Sequence, residues 1–210
     1  MSKTKEKILQ TALELFNKEG IANVTLRNIA AAMGISQGNL NYHYKKREDI
    51  VFALYKKVVH IFDEAYAQMR EPQSSFDLLF QSSAFMYSVF EEYKFLMLDF
   101  VEVMRQYPSI KEHHQRLHQT RKVEMLQIFE MLYKRGFMQP EEFKGQHECL
   151  IQQLMIIGDF SMANLNTFHS QDSSNHLQTF VQLMTQLIYP HLTAKGKKAY
   201  WGTYKKMTAE

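Results

Sequence analysis

A chain of 210 residues with one cysteine, Cys149, cannot staple itself with an internal disulfide. It opens without a charged-then-apolar leader and small-residue cleavage site, so the expected setting is a reducing cytoplasm. Long hydrophobic runs are missing. The nearest, Leu154 to Ile157, is bounded by Gln153 and Gly158-Asp159, far short of the ~18–20 apolar residues that a membrane helix needs. Only four prolines and eight glycines interrupt the chain, and no strand-type alternation competes with the helical period, so the fold class reads as all-α. Nor is there a G-x-S-x-G elbow, a phosphate-cradling glycine loop or metal-ligand spacing of the strong type, which leaves no support for catalysis, a cofactor or a metal.

What the chain does have is apolar surface, with 45% hydrophobic against 22% charged residues, enough for a folded core. Its net charge of +3 is unevenly spread: residues 1–50 carry eight Lys/Arg against five Asp/Glu, 51–194 twelve against sixteen, and 195–210 five against one. A basic N-terminal segment is what a phosphate-binding surface requires, and equally what a solvated face shows. Charge permits DNA binding without proving it.

Periodicity predicts a first helix from about Thr4 to Glu19, with Ile8, Leu9, Ala12, Leu13 and Phe16 on one stripe and Gly20 as its stop. Thr25 is placed to cap a short second helix carrying Leu26, Ile29, Ala30 and Met33 and ended by Gly34, and Ser36 to cap a third running to about Tyr44. A long amphipathic helix follows from Arg47 to about Arg70, broken by Pro72 and Ser74-Ser75. It is expected to link two domains, 1–50 and 51–210. Further helices are predicted over Phe76–Glu91, Phe95–Gln106, Ile110–Arg135, Glu141–Thr167 and Asn175–Tyr189, with breaks at Tyr107-Pro108, Gly136 to Pro140, Ser170–Ser174 and Pro190.

The segment Leu26–Lys45, LRNIAAAMGISQGNLNYHYK, reads as two helices packed across a tight turn. Ile29, Met33, Ile35 and Leu40 supply a shared core, Ala30 is small where the helices cross, and Gly34 suits a turn with positive φ. From Ser36 to Arg47 the sequence is densely polar and aromatic, with no acidic group until Glu48. Hydroxyl, amide, imidazole, phenol and cationic groups are those that bind phosphate oxygens and base edges. The other reading is a solvated surface helix with Tyr42 and Tyr44 packed inward.

With ALELFNKEG, then TLRNIAAAMGIS, then GNLNYHYKKREDI in that order and spacing, the first fifty residues resemble the TetR family of transcription regulators. The resemblance implies that Thr25 caps the second helix and meets a phosphate, that Ser36 to Tyr44 enter the major groove, and that Arg47 grips the DNA backbone. The implied DNA-binding set is Thr25, Arg27, Ser36, Gln37, Gly38, Asn39, Asn41, Tyr42, His43, Lys45 and Arg47. Asn39 and Asn41 stand where the family commonly has a Thr and a Tyr, and Lys46 where a capping Ser or Asn is usual. Asn donates and accepts like the residues it replaces and can read adenine.

Beyond residue 50 the resemblance covers only the helical plan. The methionines and phenylalanines around Phe76–Tyr107 are by default core, and otherwise an adaptable apolar pocket. The ligand-binding candidates are Phe62, Tyr66, Phe85, Met86, Phe100 and Met104. His113, His114 and His118 share one predicted helix and read as an exposed polar face, Asp159 as a solvent-facing helix edge, and Cys149 as a small buried hydrophobe. Gly158, Ser161 and Leu165, with Leu177, Phe180, Val181, Met184, Leu187 and Ile188, are expected to build a homodimer. The expected function is a repressor that holds double-stranded DNA at a palindromic operator and is released by a small apolar effector. A regulator without a small-molecule effector, or an enzyme or adaptor on the same scaffold, are the alternatives.

Overall fold

The first helix stops where its apolar stripe stops. In a computed structural model, which describes residues 3–69, 77–168 and 173–208, α1 spans Lys3–Glu19 and buries Ile8, Leu9, Ala12, Leu13 and Phe16. Gly20 ends it at φ +80°, a conformation that costs a residue with a Cβ. Two short helices follow, α2 (Leu26–Ala32) and α3 (Gln37–His43), joined through Gly34 at φ +68° as its position in the motif predicted.

The remaining helices are α4 (Arg47–Met69), α5 (Leu78–Glu92), α6 (Lys94–Leu98), α7 (Phe100–Gln106), α8 (Pro108–Lys134), α9 (Gln146–Phe168), α10 (Ser173–Ile188) and α11 (Ala194–Thr208), with a 3₁₀ turn at Tyr189–His191. Among the described residues no strand occurs beyond one isolated bridge between Met138 and Leu192. The expected ends at Arg70 and Phe76, the breaks at Pro72 and Ser74-Ser75, and residues 170–172 of the next break lie outside the described residues.

Three elements depart from the periodicity. The helix expected over Phe95–Gln106 is two, because Asp99 leaves helical geometry; the bend lets Phe95 and Leu96 of α6 and Val103 of α7 reach one core. The helix expected from Glu141 begins at Gln146, since the Glu141 carboxylate accepts the backbone N–H groups of Gly145 (3.4 Å) and His147 (2.8 Å) and fixes a loop. The Lys- and Gly-rich α11 lacks an aliphatic stripe and was not expected. It is held by aromatic packing, with Tyr200 5.0 Å from Phe80 and 4.8 Å from Tyr189 between ring centroids.

Two hydrophobic cores divide the molecule. One joins α1–α4 to Val89, Tyr93, Phe95, Leu96, Val103, Tyr107 and Ile110, so it runs past residue 50. The other packs α5 and α8–α11 around Phe80, Phe129, Ile151, Leu165 and Phe180. Helix α4 belongs to both, and its Phe62 packs against each.

Candidate nucleic-acid interface and ligand pocket

Local chemistry fixes the two short helices. Thr25 Oγ1 accepts the N–H of Asn28 while Asn28 Oδ1 accepts the N–H of Thr25, a reciprocal capping box, and Ser36 Oγ accepts the N–H of Asn39. Such caps are each worth about 1 kcal/mol. Leu40 is fully buried and Tyr44 nearly so; burial, with Asp49 nearby, raises the Tyr44 pKa. The inward reading therefore holds for Tyr44 and fails for Tyr42, which is 85% exposed with its ring edge-on to His43.

Gln37, Gly38 and Asn39 stand exposed beside Tyr42, and Arg27, Ser36 and Lys45 are exposed around them. Asn41 is half-buried with its side-chain oxygen shielded, so Asn39 is the freer of the two asparagines. Lys46 lacks a capping side chain, yet its backbone N–H donates to Asp49 Oδ2 (2.9 Å), which preserves half of a capping box at the start of α4.

Arg47 corrects an expectation. Its guanidinium turns inward, donating to the carbonyls of Ile21 (2.9 Å) and Val24 (3.2 Å) in the α1–α2 loop and to Gln106 Oε1 (3.2 Å) on α7. These carbonyls of the α1–α2 loop converge on the start of α4, and they engage the donors that a phosphate contact needs. The same seam carries Ser109 Oγ donating to Glu48 Oε1 (2.9 Å). Asn17 of α1 donates to the carbonyl of Glu92 (2.7 Å) and accepts the N–H of Phe95 (3.1 Å). These contacts bolt the N-terminal helices to the body, and of their side chains sequence reading assigned a role only to Arg47.

Farther along α4, Tyr55, Val58, Val59, Phe62 and Tyr66 wall a cavity of about 150 Å³ completed by Met86, Phe100 and Met104 among others. A second chamber of about 70 Å³ shares Phe62, Tyr66 and Met86 and adds Ala65 and Phe85. All six ligand-binding candidates line one chamber or the other, with Phe85 43% exposed. The larger chamber fits a molecule of about benzene size, and its Met86, Met97, Met104, Met125, Met155 and Met184 are side chains that repack readily. Arg121 is buried in its wall with its guanidinium 4.5 Å from the Tyr66 ring. Burial opposes its charge, but Glu124 (2.6 Å) and Asp63 outweigh that and raise its pKa.

Three further readings are corrected. His114 and His118 face Asp159 rather than open solvent: His118 Nε2 is 3.1 Å and His114 Nε2 3.9 Å from Asp159 Oδ2, all three partly buried. Burial opposes ionisation of Asp159, yet the facing imidazoles prevail and its pKa is lowered. Only His113 keeps apart, its Nδ1 3.0 Å from the Tyr55 hydroxyl Oη and its Nε2 3.0 Å from Lys56 Nζ. Cys149 is exposed, not buried. Of the dimer candidates, Gly158, Ser161, Leu165, Phe180, Val181, Met184 and Ile188 are buried within this one protomer, because they face its second core. Of the remaining candidates Leu177 is exposed and Leu187 half-buried, and the other outward apolar side chains are Ile156, Phe160 and Phe168 of α9 and Leu183 of α10.

A polar, exposed third helix in a three-helix unit, mounted on a helical body, defines a helix-turn-helix DNA-binding regulator. A family model described as bacterial regulatory proteins, tetR family, matches residues 8–54, and the TetR model described as a bacterial transcriptional repressor matches residues 60–200. The chain belongs to the tetR family of transcriptional regulators. It is 28% identical over 71 residues to the HTH-type transcriptional regulators SAB2452 and SAUSA300_2515 of two Staphylococcus aureus strains (bovine RF122 / ET3-1 and USA300). That match covers 34% of this chain and 38% of each relative, well under two thirds of their length.

Among solved structures, a TetR-family regulator from Marinobacter aquaeolei VT8 aligns over 97% of this chain and 98% of its own, with TM-score 0.78 and 23% identity. A TetR regulator from Haloarcula marismortui ATCC 43049 covers 92% and 100% (TM-score 0.69, 18% identity), and a SmeT–triclosan complex covers 92% and 93% (TM-score 0.68, 15% identity). At these identities the likeness is one of fold. No helix among the described residues is long and apolar enough to cross a membrane.

Proposed function

We propose that this regulator is a homodimeric repressor that reads a twofold-related operator with α3 and is released by a small apolar effector held beside α4. The observation that carries the reading is the course of α4. Its first residues bind the helix-turn-helix unit through Arg47, and its fourth and fifth turns form the cavity wall at Val58, Val59 and Phe62. An occupant that enlarges the cavity therefore pushes on the element that sets the height of α3. SmeT, of the same fold, is the protein of a triclosan complex, which supports an apolar aromatic as the effector class.

Two α3 helices must meet major grooves about 34–36 Å apart or a turn-related distance, so a small shift of α4 costs contacts on one half-site. Moving the equilibrium from mostly bound to mostly released needs about 5.5 kcal/mol of preference for the released state. Burial of a hydrophobic ligand at ~25 cal/mol per Å² is of the right size to supply much of it.

The test is gel-shift binding to the DNA upstream of its own gene. Tyr42→Ala, on an 85% exposed side chain, is expected to lower affinity at least about tenfold, ~1.4 kcal/mol, with unchanged melting. A panel of apolar aromatics beginning with triclosan is then titrated against the complex. Full affinity in Tyr42→Ala sinks the DNA-reading role of α3, and a complex indifferent to every compound leaves a regulator without this effector class.

A further inference from the structure

We propose that His114, His118 and Asp159 form a binding site for one divalent transition-metal ion per protomer, of the Zn²⁺, Co²⁺ or Ni²⁺ kind. Three observations converge on it. His114 and His118 lie at i, i+4 on α8, so their imidazoles leave the same face of the helix, and Asp159 meets them from the facing α9. One ligand atom from each residue lies within 4.8 Å of the other two. Donors around a bound zinc ion stand at about 2.0–2.2 Å from the metal, so closing this group on an ion draws the three side chains together from their present spacing.

The second observation is an unmet need. Both imidazole nitrogens of His114 are shielded from solvent and make no hydrogen bond among the described residues, and 3.9 Å to Asp159 is too long for one. Shielding such groups from water without giving them a partner is unfavourable. A metal at Nε2 removes one of the two deficits. A simple His118–Asp159 ion pair explains one imidazole and leaves the other idle.

Access is the third. The trio stands where the apolar cavity meets an outer cleft lined also by Lys111, Glu112 and Arg116, so an ion can enter from solvent. Arg121, the other cation of the cavity wall, is already held by Asp63 and Glu124 and adds little repulsion. Two imidazoles and one carboxylate make a mixed nitrogen and oxygen set, which suits borderline transition ions and not Mg²⁺ or Ca²⁺, whose preferred ligands are oxygens. Three protein ligands leave at least one coordination position open. The inference does not rest on the effector reading: an ion here ties α8 to α9 whether or not the cavity is filled.

The experiment uses the full, tag-free chain after dialysis against a chelator. Calorimetric titration with ZnCl₂ is expected to give one ion per protomer, and titration with CoCl₂ a visible absorption band from nitrogen-ligated cobalt; MgCl₂ is expected to give neither. His114→Ala and His118→Ala should each weaken Zn²⁺ binding at least about tenfold, with helical content by circular dichroism unchanged. Asp159→Asn should weaken it too, while His147→Ala, remote from the trio, should not. Absence of Zn²⁺ binding and of the cobalt band in the wild-type chain overturns the proposal without reference to any variant's folding. So does binding that survives both histidine substitutions at full strength.

Discussion

The guanidinium of Arg47 donates to two loop carbonyls and to Gln106, so its removal leaves the carbonyls of Ile21 and Val24 short of a partner near the first core. Hydrogen bonds to a charged donor are worth about 1.5–3 kcal/mol. Arg47→Ala is expected to destabilise the chain by roughly that amount in urea unfolding, and Arg47→Lys to recover little, because an ammonium lacks the planar fork. Unchanged stability with uniformly weakened DNA binding would return Arg47 to the phosphate-gripping role that the sequence suggested. Gly196 poses a different demand. A Cβ built there meets the carbonyl oxygen of Phe137 at 2.1 Å, so the backbone itself must give way. Gly196→Ala is expected to cost about 1–3 kcal/mol, read as a lowered melting temperature; an unchanged one would show that the α11 start is free to shift.

Helix α4 runs from the Arg47 seam to the chamber containing Ala65, and this continuity makes a packing change at one end legible at the other. A chamber of about 70 Å³ cannot take an indole without displacing α4 or α5. Ala65→Trp is therefore expected to fold with a penalty of about 1–3 kcal/mol and to bind operator several-fold more weakly, acting as a built-in effector. Wild-type operator affinity in a folded Ala65→Trp protein would remove α4 as the transmitter. The helix-turn-helix was legible in the sequence because its caps, its Gly34 turn and its Leu40 anchor are local features. So were the pocket candidates, since aromatics and methionines at helical spacing have few other uses than core or cavity. The seam was not. Asn17 meets Glu92, Arg47 meets Gln106 and His118 meets Asp159 across tens of residues, and no local pattern announces such pairs. Helix α9 misled for another reason: it carries apolar residues on both its inner and outer faces, so periodicity alone could not tell core from interface.

At the scale of the whole molecule, the expected site of assembly is the outer face of α9. Ile156 and Phe160 lie one turn apart and remain 50% and 44% exposed, and Leu183 of the neighbouring α10 remains 41% exposed. Exposed apolar side chains grouped in this way suit a site of association. A twofold axis through it would place α9 and α10 against their own copies and give a four-helix interface in which the same patch serves both partners. The side chains first assigned to that role, such as Phe180 and Leu165, are fully buried and serve the protomer's own packing. Substituting them would therefore unfold the chain rather than split a dimer. The discriminating variant is Ile156→Glu combined with Leu183→Glu, which places two like charges from each copy at the centre of the contact while leaving both cores untouched. Light scattering at micromolar concentration is expected to give a dimer mass for the wild type and a monomer mass for the double variant, with equal helical content. The monomer should also lose nearly all operator affinity, because a single α3 reads only one half-site. A wild-type monomer, or a double variant that remains dimeric, would place the interface elsewhere.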